Sequence, residues 1–140
     1  MNKKGGQIIV AVPKLSHIKE TGIYIKDLKA AKKFYHDVLG LEPFIEKLSR
    51  HLFYKIGNTI LIIFNPEATM EEHYLPPHGI KGIGHIAFEI NSEDVKAWKD
   101  HLKKHNVEIL KEASFGGGTS FYFHDPGQNL IELITKESWD

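Results

Sequence analysis

The chain has no cysteine, no excess of either charge and no long apolar run. Without cysteine, disulfide bonds, zinc–thiolate sites and thiol catalysis are excluded. Basic and acidic residues each number 18, so the formal net charge is zero. We therefore expect no bulk attraction to nucleic acid or to an anionic membrane. The apolar run Ile8 to Val12 is too short for a signal peptide, and no segment approaches the roughly 18 apolar residues of a membrane span. We expect a cytoplasmic protein.

The first half of the chain reads as a βαβββ unit. Ile18 to Ile25 alternates like a strand, and Asp27 supplies an N-cap for a helix from Leu28 to Leu39. Gly40 follows, as expected of a left-handed C-cap. Three further strands are predicted, over Glu42 to Leu48, His51 to Ile56 and Thr59 to Phe64.

The same order of elements returns after a proline- and glycine-rich stretch. Ile83 to Ile90 is predicted as a strand, and Ser92 as the cap of a helix that ends near His105. The later strands are predicted over Val107 to Ala113, Thr119 to His124 and Leu130 to Thr135. The glycines at 116–118 between two of these strands predict a flexible loop near the pocket.

The repeat predicts one α+β domain over residues 1–140. Module 1 covers about 17–65, the linker 66–82 and module 2 about 83–136. Neither unit can bury a concave sheet alone, so we expect the two βαβββ modules to pair into a half-open barrel. The modules pair within one chain or between two chains, and a homodimer of paired modules is expected.

Aligning the two units generates four equivalent positions. Two lie seven residues before the helix-capping residue of their unit, and two lie five residues after the glycine of a turn. These positions are filled by Glu20, Ile62, His85 and Glu132. Three of the four residues can bind metal ions, and Glu132 lies in the apolar run Leu130 to Ile134. A carboxylate buried there without a partner would cost several kcal/mol. We therefore predict that Glu20, His85 and Glu132 bind one divalent metal ion.

Three segments carry a resemblance to a known family. The segments Ile23 to Glu42, Gly82 to Ile90 and Ser120 to Leu133 resemble the vicinal oxygen chelate superfamily. That superfamily includes glyoxalase I, fosfomycin-resistance transferases, extradiol dioxygenases and bleomycin-resistance proteins. The resemblance implies a metal ion that binds two vicinal oxygens of a small substrate and acts as a Lewis acid. The activity implied is that of a lyase, an isomerase or a transferase.

Two departures from the family pattern narrow the chemistry. Ile62 is apolar where four-ligand members have a ligand, so three protein ligands remain and coordination positions stay open for substrate. Glu20 stands where most three-ligand members have histidine. One histidine with two carboxylates suits Zn²⁺, Mn²⁺, Ni²⁺ or Mg²⁺ and disfavours iron.

The resemblance also assigns residues to the substrate. Glu132 and Tyr122 are expected to be catalytic, since Tyr122 matches a tyrosine that contacts substrate in the fosfomycin-resistance branch. Gly22 and Tyr24 share the face of Glu20, and Ser120 shares that of Tyr122, so all four are expected to bind substrate. The basic residues that neutralise a phosphonate in that branch have no convincing match in this sequence, and Lys136 is the only cation after Glu132. Fosfomycin itself is therefore not favoured.

Two other functions stay open. A metal-free binding protein of the bleomycin-resistance type would have no need of the three predicted ligands. An extradiol dioxygenase would bind iron and consume oxygen. A second metal site in the linker, at His73 and His78, is a further alternative to the expectation that both are surface histidines.

Overall fold

The computed structural model describes residues 2–4, 7–9 and 12–139, and it has the predicted α+β architecture. The strands are β1 (Asn2–Lys4), β2 (Gln7–Ile9), β3 (Glu20–Tyr24), β4 (Ile45–Lys47), β5 (His51–Ile56), β6 (Thr59–Phe64), β7 (His85–Ile90), β8 (Lys111–Phe115), β9 (Gly118–His124) and β10 (Leu130–Thr135). The α-helices are α1 (Leu28–Asp37), α2 (Pro66–Met70) and α3 (Val95–Lys104), and 3-10 helices cover Ser92–Asp94 and Lys136–Trp139. Among the described residues, no helix is long and apolar enough to cross a membrane.

Two four-stranded sheets, one per module, form the body of the fold. Their orders are β3-β6-β5-β4 and β7-β10-β9-β8, and a separate pair joins β1 to β2. In each module the first strand runs parallel to the last, and all other pairs are antiparallel. In module 1, Ile62 lies opposite Gly22, two residues after Glu20. In module 2, Glu132 lies opposite Ala87, two residues after His85. The register therefore confirms the repeat alignment.

Helix α1 begins where its cap predicts. The Asp27 carboxylate accepts a hydrogen bond from the Ala30 amide at 3.0 Å. The helix buries Leu28, Ala31 and Tyr35 against the sheets. It ends at Asp37, two residues before the predicted end, and Gly40 (φ 70°) turns the chain in the left-handed region as predicted.

The second module departs from the prediction at several points, among them the start of β7, which begins at His85 and not at Ile83. Ser92 is not a helix cap: it begins a 3-10 turn, and its hydroxyl donates to the Glu137 carboxylate at 2.7 Å. The strand predicted over Val107 to Ala113 forms instead at Lys111–Phe115. The glycine loop is a tight hairpin turn, and Gly118 lies buried in β9, where a Cβ would meet the Ser138 hydroxyl oxygen at 2.2 Å.

The two modules of one chain pack against each other through their core faces. The Phe34 ring of α1 lies 6.3 Å from the Phe123 ring of β9, centroid to centroid. The buried Tyr35 hydroxyl donates to the Asp125 carboxylate at 2.8 Å. His101 of α3 donates from Nε2 to the Val38 carbonyl at 2.9 Å, beyond the end of α1. Apolar contact and hydrogen bonds thus join the two modules of the chain.

The hydrogen bond between Tyr35 and Asp125 predicts a measurable stability difference. Tyr35→Phe removes a donor from a buried carboxylate and should lower the free energy of unfolding by about 2 kcal/mol. Tyr54 is as fully buried, yet its hydroxyl has no hydrogen-bond partner among the described residues. Tyr54→Phe should therefore leave stability unchanged or raise it by about 1 kcal/mol. Urea unfolding measures both, and equal losses in the two variants would contradict this account.

Candidate metal centre

Strand β10 places Glu132 on the side of its sheet away from the core. Ile131 and Leu133 point into the core, so alternation along the strand directs Glu132 to the opposite side, called here the open face. The Glu132 side chain is only 8% exposed. A carboxylate held at that depth needs a compensating partner.

That partner is His85, the first residue of β7. Its Nε2 lies 3.2 Å from Oε1 of Glu132, and its side chain is 49% exposed. Its Nδ1 lies 2.9 Å from the Leu130 carbonyl oxygen. A carbonyl oxygen only accepts, so Nδ1 carries a hydrogen and donates it. In a neutral imidazole, Nε2 then holds a lone pair that faces the carboxylate.

This geometry fits a divalent metal ion. Two lone pairs that face each other at 3.2 Å need a proton or a cation between them. Two ligand atoms about 2.1 Å from one metal ion lie about 3.0 to 3.4 Å apart in octahedral or tetrahedral geometry. A hydrogen bond from the other ring nitrogen to a backbone carbonyl is the usual orientation of a metal-binding histidine. His85 and Glu132 would therefore hold such an ion with little movement.

Glu20 does not join this pair within one chain. It begins β3 in the other sheet, is exposed, and lies opposite Ile60. Throughout residues 12–139, no three histidine, aspartate or glutamate side chains come close enough together to hold a metal ion. Strand β3 contacts module 2 at its other end, where the Tyr24 carbonyl accepts a hydrogen bond from Asn129. Glu20 lies about 13 Å away from Tyr24 along the strand. The structure thus brings together two of the three predicted ligands.

The open face beside Glu132 carries the polar residues of module 2. Strand pairing sets Tyr122 opposite Glu132, and Lys111 opposite Tyr122, on the same face. The Ser120 hydroxyl donates to the Tyr122 hydroxyl at 3.3 Å, which leaves the phenolic hydrogen free for a ligand. Lys111 supplies a cation that the sequence analysis did not identify, because its place opposite Tyr122 depends on how β8 pairs with β9.

The open face of module 1 is lined by aromatic residues and covered in part by the linker. The Tyr24 hydroxyl lies 2.6 Å from Nδ1 of His78, whose ring packs edge-on against Phe64. His78 is therefore not the surface histidine that the sequence predicts. Burial raises the pKa of Tyr24. Gly22 is exposed beside Phe64, where a Cβ would lie 3.1 Å from the ring.

His51 lies on the same face of module 1, in line with Tyr24 and Phe64 across the neighbouring strands. It lies opposite Phe64, which lies opposite Tyr24. Its Nδ1 accepts a hydrogen bond from the Arg50 guanidinium at 2.8 Å, and Arg50 also pairs with Glu72 of the linker. Burial and the neighbouring Arg50 charge lower the pKa of His51, so its ring is neutral near pH 7.

Comparison with known proteins identifies the family. Residues 14–133 match the model of the Glyoxalase/Bleomycin resistance protein/Dioxygenase superfamily. The chain belongs to this superfamily. The resemblance stated from the sequence motifs and the fold predicted from the repeat are both confirmed.

Other members of the superfamily are similar to this chain along most of their length. The chain is 30% identical over 127 residues to the fosfomycin resistance protein FosX of Listeria monocytogenes, covering 85% of this chain and 86% of FosX. It is 32% identical over 114 residues to the metallothiol transferase FosB of Staphylococcus epidermidis, covering 79% of this chain and 75% of FosB. These relatives are enzymes.

Solved structures agree with this placement. Lactoylglutathione lyase from Agrobacterium tumefaciens superposes with a TM-score of 0.84 at 31% identity, over 90% of this chain and 98% of the lyase. A variant of Listeria monocytogenes FosX superposes with a TM-score of 0.62 at 28% identity, over 88% of this chain and 90% of FosX. That variant was crystallised with Mn(II) and 1S,2S-dihydroxypropylphosphonic acid. A divalent metal ion is therefore supported in this family.

Proposed function

We propose that this chain is a divalent-metal-dependent enzyme of the fosfomycin-resistance type, with Mn²⁺ as its metal ion. The observation that carries the proposal is the His85 and Glu132 pair, whose facing lone pairs and oriented ring suit a metal ion. A metal-free binding protein of the bleomycin-resistance type would leave the buried Glu132 carboxylate without its partner cation. One histidine with carboxylates also suits Mn²⁺ better than the iron of an extradiol dioxygenase.

The third ligand of the proposed site is Glu20 from a second copy of the chain. Strands β3 and β7 are the edges of separate sheets, and each is paired on one side only among the described residues. Pairing module 1 of one copy with module 2 of another would cover both edges. Such a homodimer has two equivalent sites, each built from both chains.

The substrate proposed for this site is a small anionic molecule with vicinal oxygens, such as fosfomycin. Lys111 lies in the row of Glu132 and Tyr122 and would neutralise a phosphonate or carboxylate. This residue answers the objection raised from the sequence, where no such cation was found. Gly22, without a side chain, and Tyr24 would form the opposite wall.

The proposed reaction is addition of a nucleophile to a strained ring. The nucleophile, water or a thiol, forms a bond to a ring carbon and gives up its proton, while the carbon–oxygen bond breaks. The ring oxygen takes the electron pair and then one proton, so the proton lost by the nucleophile is balanced. The bound metal ion supplies Lewis acidity to the substrate oxygens. Tyr122 donates a hydrogen bond to the substrate through its free phenolic hydrogen, while Lys111 holds the anionic group.

Lys111 gives the proposal a sharp test. Protein loaded with Mn²⁺ is incubated with fosfomycin in the presence and absence of glutathione, and product is followed by phosphorus NMR. Lys111→Ala should raise the KM for fosfomycin about tenfold and change kcat less, since it removes one charge contact to the substrate. Lys96→Ala, an exposed lysine on α3, is the matched control and should leave KM unchanged. No metal-dependent turnover in the wild type would contradict the proposal.

The likeness to lactoylglutathione lyase supports a second candidate reaction. The Agrobacterium structure superposes over nearly its whole length at 31% identity. Formation of lactoylglutathione from methylglyoxal and glutathione is measured with the same Mn²⁺-loaded protein. Turnover in this assay alone would favour the lyase, and turnover of fosfomycin alone would favour the fosfomycin-resistance type.

A further inference from the structure

A buried asparagine contacts the backbone of the residue that precedes His85. Asn129 ends the turn before β10 and is only 2% exposed. Its Oδ1 accepts a hydrogen bond from the Gly84 amide at 3.0 Å. Its Nδ2 donates to the Asp125 carboxylate at 3.0 Å and to the Tyr24 carbonyl at 3.3 Å. The Gly84 amide can only donate and the Tyr24 carbonyl can only accept, so these partners fix which way the amide points.

The contact with Gly84 is one of three hydrogen bonds between residues 84–85 and residues 129–130, and the His85 ring makes another of them. Gly84 immediately precedes His85, and Asn129 immediately precedes Leu130. The Leu130 amide donates to the Gly84 carbonyl at 2.8 Å, and His85 Nδ1 donates to the Leu130 carbonyl at 2.9 Å. Three hydrogen bonds therefore tie the two segments together, and the imidazole makes one of them. Displacing Gly84 would move the ring and its Nε2.

Asp125 anchors the asparagine in turn. Its carboxylate is buried and accepts from the backbone amides of Gly127 and Asn129 at 2.8 and 2.9 Å. It also accepts from the Tyr35 hydroxyl of α1 at 2.8 Å. Asn129 thus has no alternative orientation that keeps its partners. A continuous path of hydrogen bonds runs from helix α1 of module 1 to the backbone amide of Gly84, next to His85.

The contact with Asn129 leaves no room for a side chain at residue 84. A Cβ at residue 84 would lie 2.9 Å from Oδ1 of Asn129, closer than real Cβ atoms approach an oxygen. Any larger residue at 84 must push the amide away or move the backbone before His85. The glycine and the asparagine therefore act as one unit.

We propose that Asn129 is the positioning residue that sets the His85 imidazole toward Glu132. It does so through the Gly84 backbone. Asn129 is itself held by the Tyr24 carbonyl of module 1 and by Asp125, whose carboxylate accepts from Tyr35 of module 1. The inference rests on the proposed function in one respect only, namely that His85 binds the metal ion. The position of the ring in the metal-free protein is independent of that function.

The test measures two quantities, the affinity for Mn²⁺ and the fraction of the His85 imidazole that carries its hydrogen on Nδ1. Asn129→Ala should weaken Mn²⁺ binding by about 10- to 100-fold, as expected when support of a metal-binding histidine is lost. Gly84→Ala should weaken Mn²⁺ binding about tenfold. The double variant should bind Mn²⁺ no more weakly than Asn129→Ala alone, because the new Cβ at residue 84 then meets no side-chain amide. Titration calorimetry measures affinity. In metal-free protein, nitrogen-15 imidazole spectra, assigned with His85→Ala, should show loss of the fixed Nδ1–H form in Asn129→Ala.

Thr135→Val is the matched control for lost stability. Thr135 is about as buried as Asn129, lies at the opposite end of β10 from it, and accepts from the Thr119 amide at 3.0 Å. The variant should lose stability yet keep wild-type Mn²⁺ affinity and the His85 spectrum. Asn129→Ala with unchanged affinity and an unchanged His85 spectrum would overturn the inference. Wild-type protein that binds no Mn²⁺ would instead refute the proposed function, and the metal-free spectra would still decide the role of Asn129.

Discussion

Glu132→Gln is expected to reduce Mn²⁺ affinity by at least about 100-fold, which corresponds to about 2.7 kcal/mol of binding free energy. The variant keeps the size of the side chain and removes the anionic oxygen that lies 3.2 Å from His85 Nε2. A neutral amide is a weak ligand for a hard divalent ion. In metal-free protein the same change removes a buried charge, so thermal stability should be unchanged or higher. His85→Ala should lose affinity to a similar extent without that gain in stability.

The control for this prediction lies on the same open face. Glu89 is an exposed carboxylate on β7, four residues after His85, and Glu89→Gln should bind Mn²⁺ as the wild type does. Titration calorimetry and elemental analysis of purified protein measure affinity and metal content. Equal, substoichiometric metal in wild type, His85→Ala and Glu132→Gln would refute the metal site.

Strands that end at turns with clear sequence signals were predicted to the residue. Strands β5 and β6 flank the tight turn at Gly57 and Asn58, and β10 begins after the turn that starts at Asp125. The edge strand predicted from Ile18 is shorter in the structure, because its ladder with β6 begins only where Glu20 pairs with Ile60. A single sequence does not reveal where a partner strand starts.

The mistaken strand in module 2 has a physical cause. Val107 and Ile109 alternate like strand residues and do pack against the core, but they pair with no strand among the described residues. Alternation reports which side chains are buried, whereas pairing also depends on the neighbouring strand. Lys111 lies within the predicted strand, but only the pairing of β8 with β9 and of β9 with β10 places it in line with Tyr122 and Glu132.

The repeat alignment also predicts some contacts of the site and not others. His85 and Glu132 follow from the repeat alignment, because equivalent positions of the two modules lie at equivalent places in the sheets. The contact between His78 and Tyr24 depends on how the linker folds back, and periodicity carries no such information. Glu20 was expected beside His85 and Glu132, but one chain brings only the latter two together.

Mixing two defective variants should restore metal binding if Glu20 comes from a second copy. Glu20→Ala lacks the ligand of module 1, and His85→Ala lacks one of module 2. In a mixed dimer one site then carries both defects and the other carries neither. Random exchange of subunits makes half of the dimers mixed, so about a quarter of the wild-type number of tight Mn²⁺ sites should appear. Titration calorimetry before and after exchange counts them.

The matched control is a mixture of His85→Ala with Glu132→Gln. Both defects lie in module 2, in the two residues that meet at 3.2 Å, so no combination of subunits yields an intact site. This mixture should remain without tight Mn²⁺ binding, although its subunits exchange equally well. Recovery in the first mixture and not in the second would assign Glu20 to the neighbouring chain. If neither mixture recovers tight sites once exchange is verified by mass spectrometry of differently labelled subunits, the shared site is wrong. Glu20 would then not be the third ligand contributed by a second copy of the chain.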